Sequence, residues 1–145
     1  MRNERIWVEL VGSVIVARVR GAPTAEMLQE CEQRVLELAR DTDQVRVLYD
    51  ALELEAPEME LVLLQQRLDS QKKVNLGATL LRTAILVPNT RIAYLSRIAF
   101  GHVGEGSYRV FYNDYGAALK WLEESGQGSG QEGLRGSGPG PERPG

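Results

Sequence analysis

The sequence predicts an α/β domain: a five-stranded, mostly parallel (mixed) sheet with an N-terminal β-hairpin and about four helices, in the order ββαβαβαβα. Three observations carry this. The chain opens on two strand-like runs joined by Gly12-Ser13, β-branched apolar runs then alternate with stretches of helical period, and no segment repeats.

Each element follows from its residues. Arg5 to Leu10, with Trp7 and Val8, reads as the first strand. In the run from Val14 to Arg20, Val14, Val16, Arg18 and Arg20 alternate with Ile15, Ala17 and Val19, the period of two that marks a strand with one wetter face. Gly12-Ser13 suits a short hairpin turn, because glycine accepts positive φ without strain. After Gly21-Ala22-Pro23, Thr24 is placed to cap a helix, and Glu26 to meet the positive end of its dipole. Leu28, Cys31, Val35 and Leu38 give that helix a buried stripe; Glu30, Glu32, Gln33, Arg34 and Glu37 take the remaining surface, and it ends near Asp41.

Val45 to Asp50 lies between two helical stretches and is predicted as an interior parallel strand, with Asp50 at its carboxyl end. Pro57 suits the first turn of the second helix, whose predicted buried stripe is Leu61, Leu64 and Leu68, running through to about Lys73. Thr83 to Val87 is the fourth strand, stopped by Pro88, which lacks an amide proton. Asn89 or Thr90 caps a third helix that turns Ile92 or Ala93, Leu95 or Ser96, and Ala99 inward. Gly101 to Gly106 reads as a flexible turn and Tyr108 to Tyr112 as the fifth strand. Asp114 then caps a last helix with Ala118, Leu119, Leu122 and part of Trp121 toward the core.

The length fits one domain, assigned to residues 1–125, with its folded unit starting near residue 4. Residues 126–145 hold eight of the fifteen glycines and three of the six prolines, with Leu134 their only sizeable apolar side chain. So little apolar surface does not offset the entropy of ordering, and this segment is expected to be a disordered Gly/Pro-rich tail. Cys31 is alone and forms no internal disulfide, and no charged leader precedes a long apolar run; the expected location is cytoplasmic. Apolar runs are no longer than Leu61–Leu64, far short of a membrane span.

A net charge of −3 gives no general attraction to nucleic acid. The average hides a gradient: residues 21–60 carry eleven Asp/Glu against three Lys/Arg, whereas residues 61–109 carry seven Lys/Arg against two Asp/Glu. Opposed halves can steer a partner or support self-association, so a homodimer stays open, although solvated helix faces produce the same pattern.

Catalytic constellations are largely missing. His102 lies in a Gly-rich turn and Cys31 in a helix stripe, which gives no nucleophile–base pair, no zinc set and no expected cofactor. Gly101, Gly104 and Gly106 follow a helix and precede a strand, the reverse of a phosphate loop. Glu53, Glu55, Glu58 and Glu60 read as a solvated surface near a helix start. Arg91, Arg97 and Arg109 lie near Tyr94, Tyr108 and Tyr112, but hydrophobic packing accounts for the tyrosines. The best place for a site is the edge beyond the strand carboxyl ends, where Asp50 would meet Asn89, Thr90 and Arg91. Asp50 and Asn89 also serve as ordinary turn and cap residues.

The phrases Arg46-Val47-Leu48-Tyr49-Asp50-Ala51, Thr83-Ala84-Ile85-Leu86-Val87-Pro88-Asn89 and Tyr108-Arg109-Val110-Phe111, with Ala117-Ala118-Leu119-Lys120-Trp121-Leu122, resemble bacterial SpoIIAA-like proteins, single-domain members of the wider STAS fold. That resemblance implies a non-catalytic regulatory or interaction module with a protein partner. In the phosphorylatable antagonists a serine shortly after the strand-end Asp opens the next helix; the matching stretch here is Asp50-Ala51-Leu52-Glu53-Leu54, without that serine. The expected contact surface is therefore Asp50, Ala51, Leu52 and Glu53 with Asn89, Thr90 and Arg91. Carriage of a small apolar or nucleotide ligand is the alternative that related folds suggest.

Overall fold

The computed structural model describes residues 5–42, 46–76, 82–101 and 108–127. Among these, five strands form one sheet: β1 (Ile6–Val11), β2 (Val14–Val19), β3 (Arg46–Asp50), β4 (Arg82–Val87) and β5 (Tyr108–Tyr112). The helices are α1 (Ala25–Thr42), α2 (Met59–Asn75), α3 (Thr90–Phe100) and α4 (Tyr115–Gln127). Strand order across the sheet is the order of the chain, with β1 antiparallel to β2 and the other junctions parallel. The mixed sheet, its entry hairpin and the ββαβαβαβα order are those read from the sequence.

The hairpin closes with Val11 opposite Val14, and Gly12 at φ 62° takes the left-handed conformation that the turn requires. Alternation along β1 and β2 then sends Ile6, Val8, Ile15 and Ala17 to one face, and Val14 and Val16 to the other. In β3 and β4 both faces are buried, and Val47, Leu48, Ile85 and Leu86 have almost no exposure, as a central parallel strand requires. The larger core lies between the sheet and α1, α2 and α3; on the opposite face, among the described residues, α4 covers β3, β4 and β5 through Ala118 and Leu122. That leaves Trp7 and Val11 of β1 exposed.

Helix ends follow the expected chemistry. Thr24 Oγ1 accepts from the Met27 amide at 3.2 Å, and Asp114 Oδ1 from the Ala117 amide at 3.0 Å. Two helices differ in rotation from the sequence reading. In α1 the inner face is Met27, Cys31, Glu32, Val35, Leu36 and Ala39, with Leu28 and Leu38 only half-buried, so Glu32 is a core residue and not a surface one. In α2 the helix starts at Met59 behind an N-cap at Glu58, and Pro57 precedes the cap instead of occupying the first turn.

The buried residues of α2 are Val62, Asp69 and Lys72, whereas Leu61, Leu64 and Leu68 are half-buried. The reason is where α2 packs: it lies mainly on α1 and α3, and its inner edge faces the carboxylate of Glu32 and the phenol of Tyr49. Helix rotation satisfies those groups in preference to burying three leucines. Packing also fails to account for two tyrosines, since Tyr94 is 60% exposed on the outer side of α3 and Tyr112 is 48% exposed at the end of an edge strand. Val45, His102, Gly104, Gly106 and residues 128–145, most of the expected tail, lie outside the described residues.

Candidate functional site

Parallel strands end together, so the loops after β3 and β4 share one edge of the molecule. Asp50 closes β3 and is only 5% exposed. Its Oδ2 accepts from Arg18 Nε at 3.0 Å and its Oδ1 from the Leu52 amide at 3.1 Å, the side-chain turn that an Asp at a strand end makes. Both carboxylate oxygens are engaged in holding β2 and the loop to β3. Ala51 is buried, and its amide donates to the Leu86 carbonyl at 2.9 Å. Leu52 packs against the core under α4.

The exposed members of the expected surface are Glu53, Asn89, Thr90 and Arg91. Glu53 lies 3.8 Å from Arg20, a solvent-screened pair of small worth. Asn89 Oδ1 accepts from the Ile92 amide at 2.9 Å and caps α3. The edge thus divides into an inner part, Asp50 and Ala51, consumed by chain geometry, and an outer rim open to contact. Glu55, Glu58 and Glu60 are exposed beside it.

Behind that rim, on the side of α1, α2 and α3, is a cavity of about 100 Å³ lined mainly by apolar side chains, among them Val19, Ala51, Leu61, Ile92, Leu95 and Phe100. Pro23, Asp50 and Pro57 border it as well. A pocket whose lining is mainly apolar suits an apolar guest in preference to a polar one. The Tyr49 and Phe100 rings, 5.1 Å apart, stand among its boundaries.

Its inner end meets a buried polar network that the sequence reading missed. Lys72 Nζ donates to Glu32 Oε1 at 2.5 Å and to the Tyr49 oxygen at 2.6 Å, and the Tyr49 hydroxyl donates to Glu32 Oε2 at 2.7 Å. Asp69 Oδ1 lies 3.3 Å from Lys72 Nζ and Asp69 Oδ2 lies 2.9 Å from Lys73 Nζ, both ion-pair distances. Burial pushes the Tyr49 phenol well up, and Glu32 adds to it. For Lys72 burial alone favours loss of the proton, but the Glu32 and Asp69 carboxylates outweigh it and the ammonium is held above its ordinary range. Burial, then Glu32, push the Cys31 thiol far up, which makes it a poor nucleophile.

Two signals in the sequence point to this network. Glu32 follows Cys31 directly and precedes Val35 by three, so it shares their helix face; Asp69, Lys72 and Lys73 have the i,i+3 and i,i+4 spacing of a charge cluster. Among the described residues no group of three His, Cys, Asp or Glu is placed to hold a metal ion. No helix among them is long and apolar enough to cross a membrane.

A sequential mixed sheet with three helices on one face, one on the other and its loops gathered at the strand carboxyl ends is the architecture of a STAS-like domain. The SpoIIAA-like family profile matches residues 14–123, and the chain belongs to that family. Among solved structures, a DUF3478-family protein with a SpoIIAA-like fold from Shewanella loihica PV-4 is similar at 20% identity and a TM-score of 0.56, over 81% of this chain and 91% of that one. The anti-sigma factor antagonist SpoIIAA in its unphosphorylated form is similar at 14% identity and a TM-score of 0.57, over 81% and 97%. At these identities the likeness establishes the fold. No curated protein matches.

Proposed function

We propose that this SpoIIAA-like chain is a non-catalytic binding module that holds a small apolar ligand at the carboxyl edge of its sheet. The observation that carries this reading is the apolar cavity, bordered by the strand-end residues Asp50 and Ala51. Its mainly apolar lining suits a short aliphatic chain or one ring better than a nucleotide. The neighbouring titratable groups Glu32, Tyr49 and Lys72 bond to one another, which supports binding over proton transfer. The place of a partner-kinase serine is filled by Ala51, Leu52 and Glu53, in keeping with a module that works without that switch. A cytoplasmic location accords with these features.

A protein partner is the second reading, favoured by the exposed rim of Glu53, Asn89, Thr90 and Arg91 around the same edge. Ligand and partner then share one edge, and the ligand state is reported to the partner. Native mass spectrometry of freshly purified protein tests the first reading: a bound small molecule is expected, lost in an Ala99→Phe variant that fills the cavity. The apo mass alone in both proteins would contradict it. A pull-down comparing wild type with Arg91→Glu tests the second, because Arg91 is exposed and its reversal leaves the Asp50–Arg18 pair intact; unchanged recovery of the partner would remove the rim from the interface.

A further inference from the structure

We infer that the amino edge of the sheet, on the face covered by α4, binds a phosphate dianion, free or as a monoester, through Arg46, Arg82 and Arg109. This edge is opposite to the cavity, and the inference does not depend on the ligand reading. Arg46 and Arg82 are register partners on adjacent strands, and Arg109 is paired with Ala84. Leu48 and Ala84 belong to the core under α4, so alternation puts all three arginines on that same face.

Neighbouring strands are about 4.8 Å apart. Like charges directly opposite at that spacing repel, a repulsion that an anion bound between them would relieve. Arg46 and Arg109 make no ion pair among the described residues. Arg46 Nε is buried and has no hydrogen-bond partner there, a donor whose desolvation is not offset.

Two of the three guanidinium groups are held by aromatic rings. Arg82 stacks on Trp121 at 4.2 Å, Trp121 lies 5.9 Å from Phe111, and Arg109 lies 5.4 Å from the Phe111 ring. Stacking uses the face of a guanidinium and leaves its in-plane donors, so the ring wall pre-orients forks of the geometry that suits phosphate oxygens. Three guanidinium groups on one face match a dianion with three equivalent oxygens better than one carboxylate with two.

The test is a titration with inorganic phosphate and with O-phosphoserine, at constant ionic strength set by sodium chloride, followed by thermal melting and by the arginine Nε–H resonances. A saturable rise in Tm is expected, together with shifts at Arg46 and Arg82. Arg46→Gln should weaken binding about tenfold, in line with loss of one charge-assisted hydrogen bond. If that variant does not fold, Arg109→Gln is measured in its place. Tighter binding of O-phosphoserine identifies a monoester as the source, and tighter binding of inorganic phosphate the free ion. Chloride raising Tm equally, or folded variants binding phosphate as tightly as wild type, would overturn the inference.

Discussion

A lysine is accommodated inside the helical layer because two carboxylates and a phenol surround its ammonium group, where a buried charge without a partner is costly. Lys72→Met leaves Glu32 and Asp69 buried without that cation, and the expected loss is about 3–5 kcal/mol in urea unfolding. Stability close to wild type would mean that the network relaxes into solvent. The pH dependence has a fixed sign. Lys72 and Tyr49 both bind their protons more tightly in the folded state than in the unfolded chain, where the values are 10.5 and 10.0. Their stabilising contribution is therefore complete below about pH 10 and is lost as pH climbs past the raised folded values. Tm measured from pH 8 to 11.5 should fall at the alkaline end, and Tyr49→Phe should make that fall shallower; an unchanged slope would assign it to other groups. Asp50 was legible as a strand-end residue, yet its carboxylate serves Arg18 and the Leu52 amide, a use that sequence alone does not distinguish from a binding role.

Element existence and order were readable because strands of β-branched residues and capped helices leave local signatures. Thr24 and Asp114 cap the helices they are expected to cap, and of the two candidates Asn89 and Thr90 it is Asn89 that caps α3. Rotation of α2 was not readable, since its inner face is chosen by Glu32 and Tyr49, residues 27 and 10 positions before its first turn. A stripe of leucines is a sound guide where a helix lies on a sheet and a poor one where it lies on other helices over a polar cluster. The consequence is measurable: Leu63→Gln, on the exposed side of α2, should change stability by no more than about 0.5 kcal/mol. Leu122→Ala, under α4 and without exposure, should cost about 2–5 kcal/mol. Comparable effects from the two substitutions would contradict the assigned orientation. The cavity was not readable either, because it arises where α1, α2 and α3 meet and no single segment encodes it.

At the scale of the molecule, the sheet sets two working edges. Carboxyl ends gather the cavity and its exposed rim, and amino ends gather three arginines. The opposed charges of the two chain halves do not map simply onto these edges, since α1 and β3 bring acidic-half residues against α2 in the core. A chain ending at Gln127, the last residue of α4, is expected to melt at the temperature of the full chain; a marked drop in Tm would contradict the boundary of the folded unit expected from the sequence. The most direct examination of the binding-module proposal is a ¹H–¹⁵N correlation titration with benzene. Saturable shifts confined to Val19, Tyr49, Ala51, Ile92 and Ala99, and abolished in Ala99→Phe, are the expected result. Shifts absent, or scattered over the surface and unaltered by that substitution, would contradict a ligand cavity at the carboxyl edge.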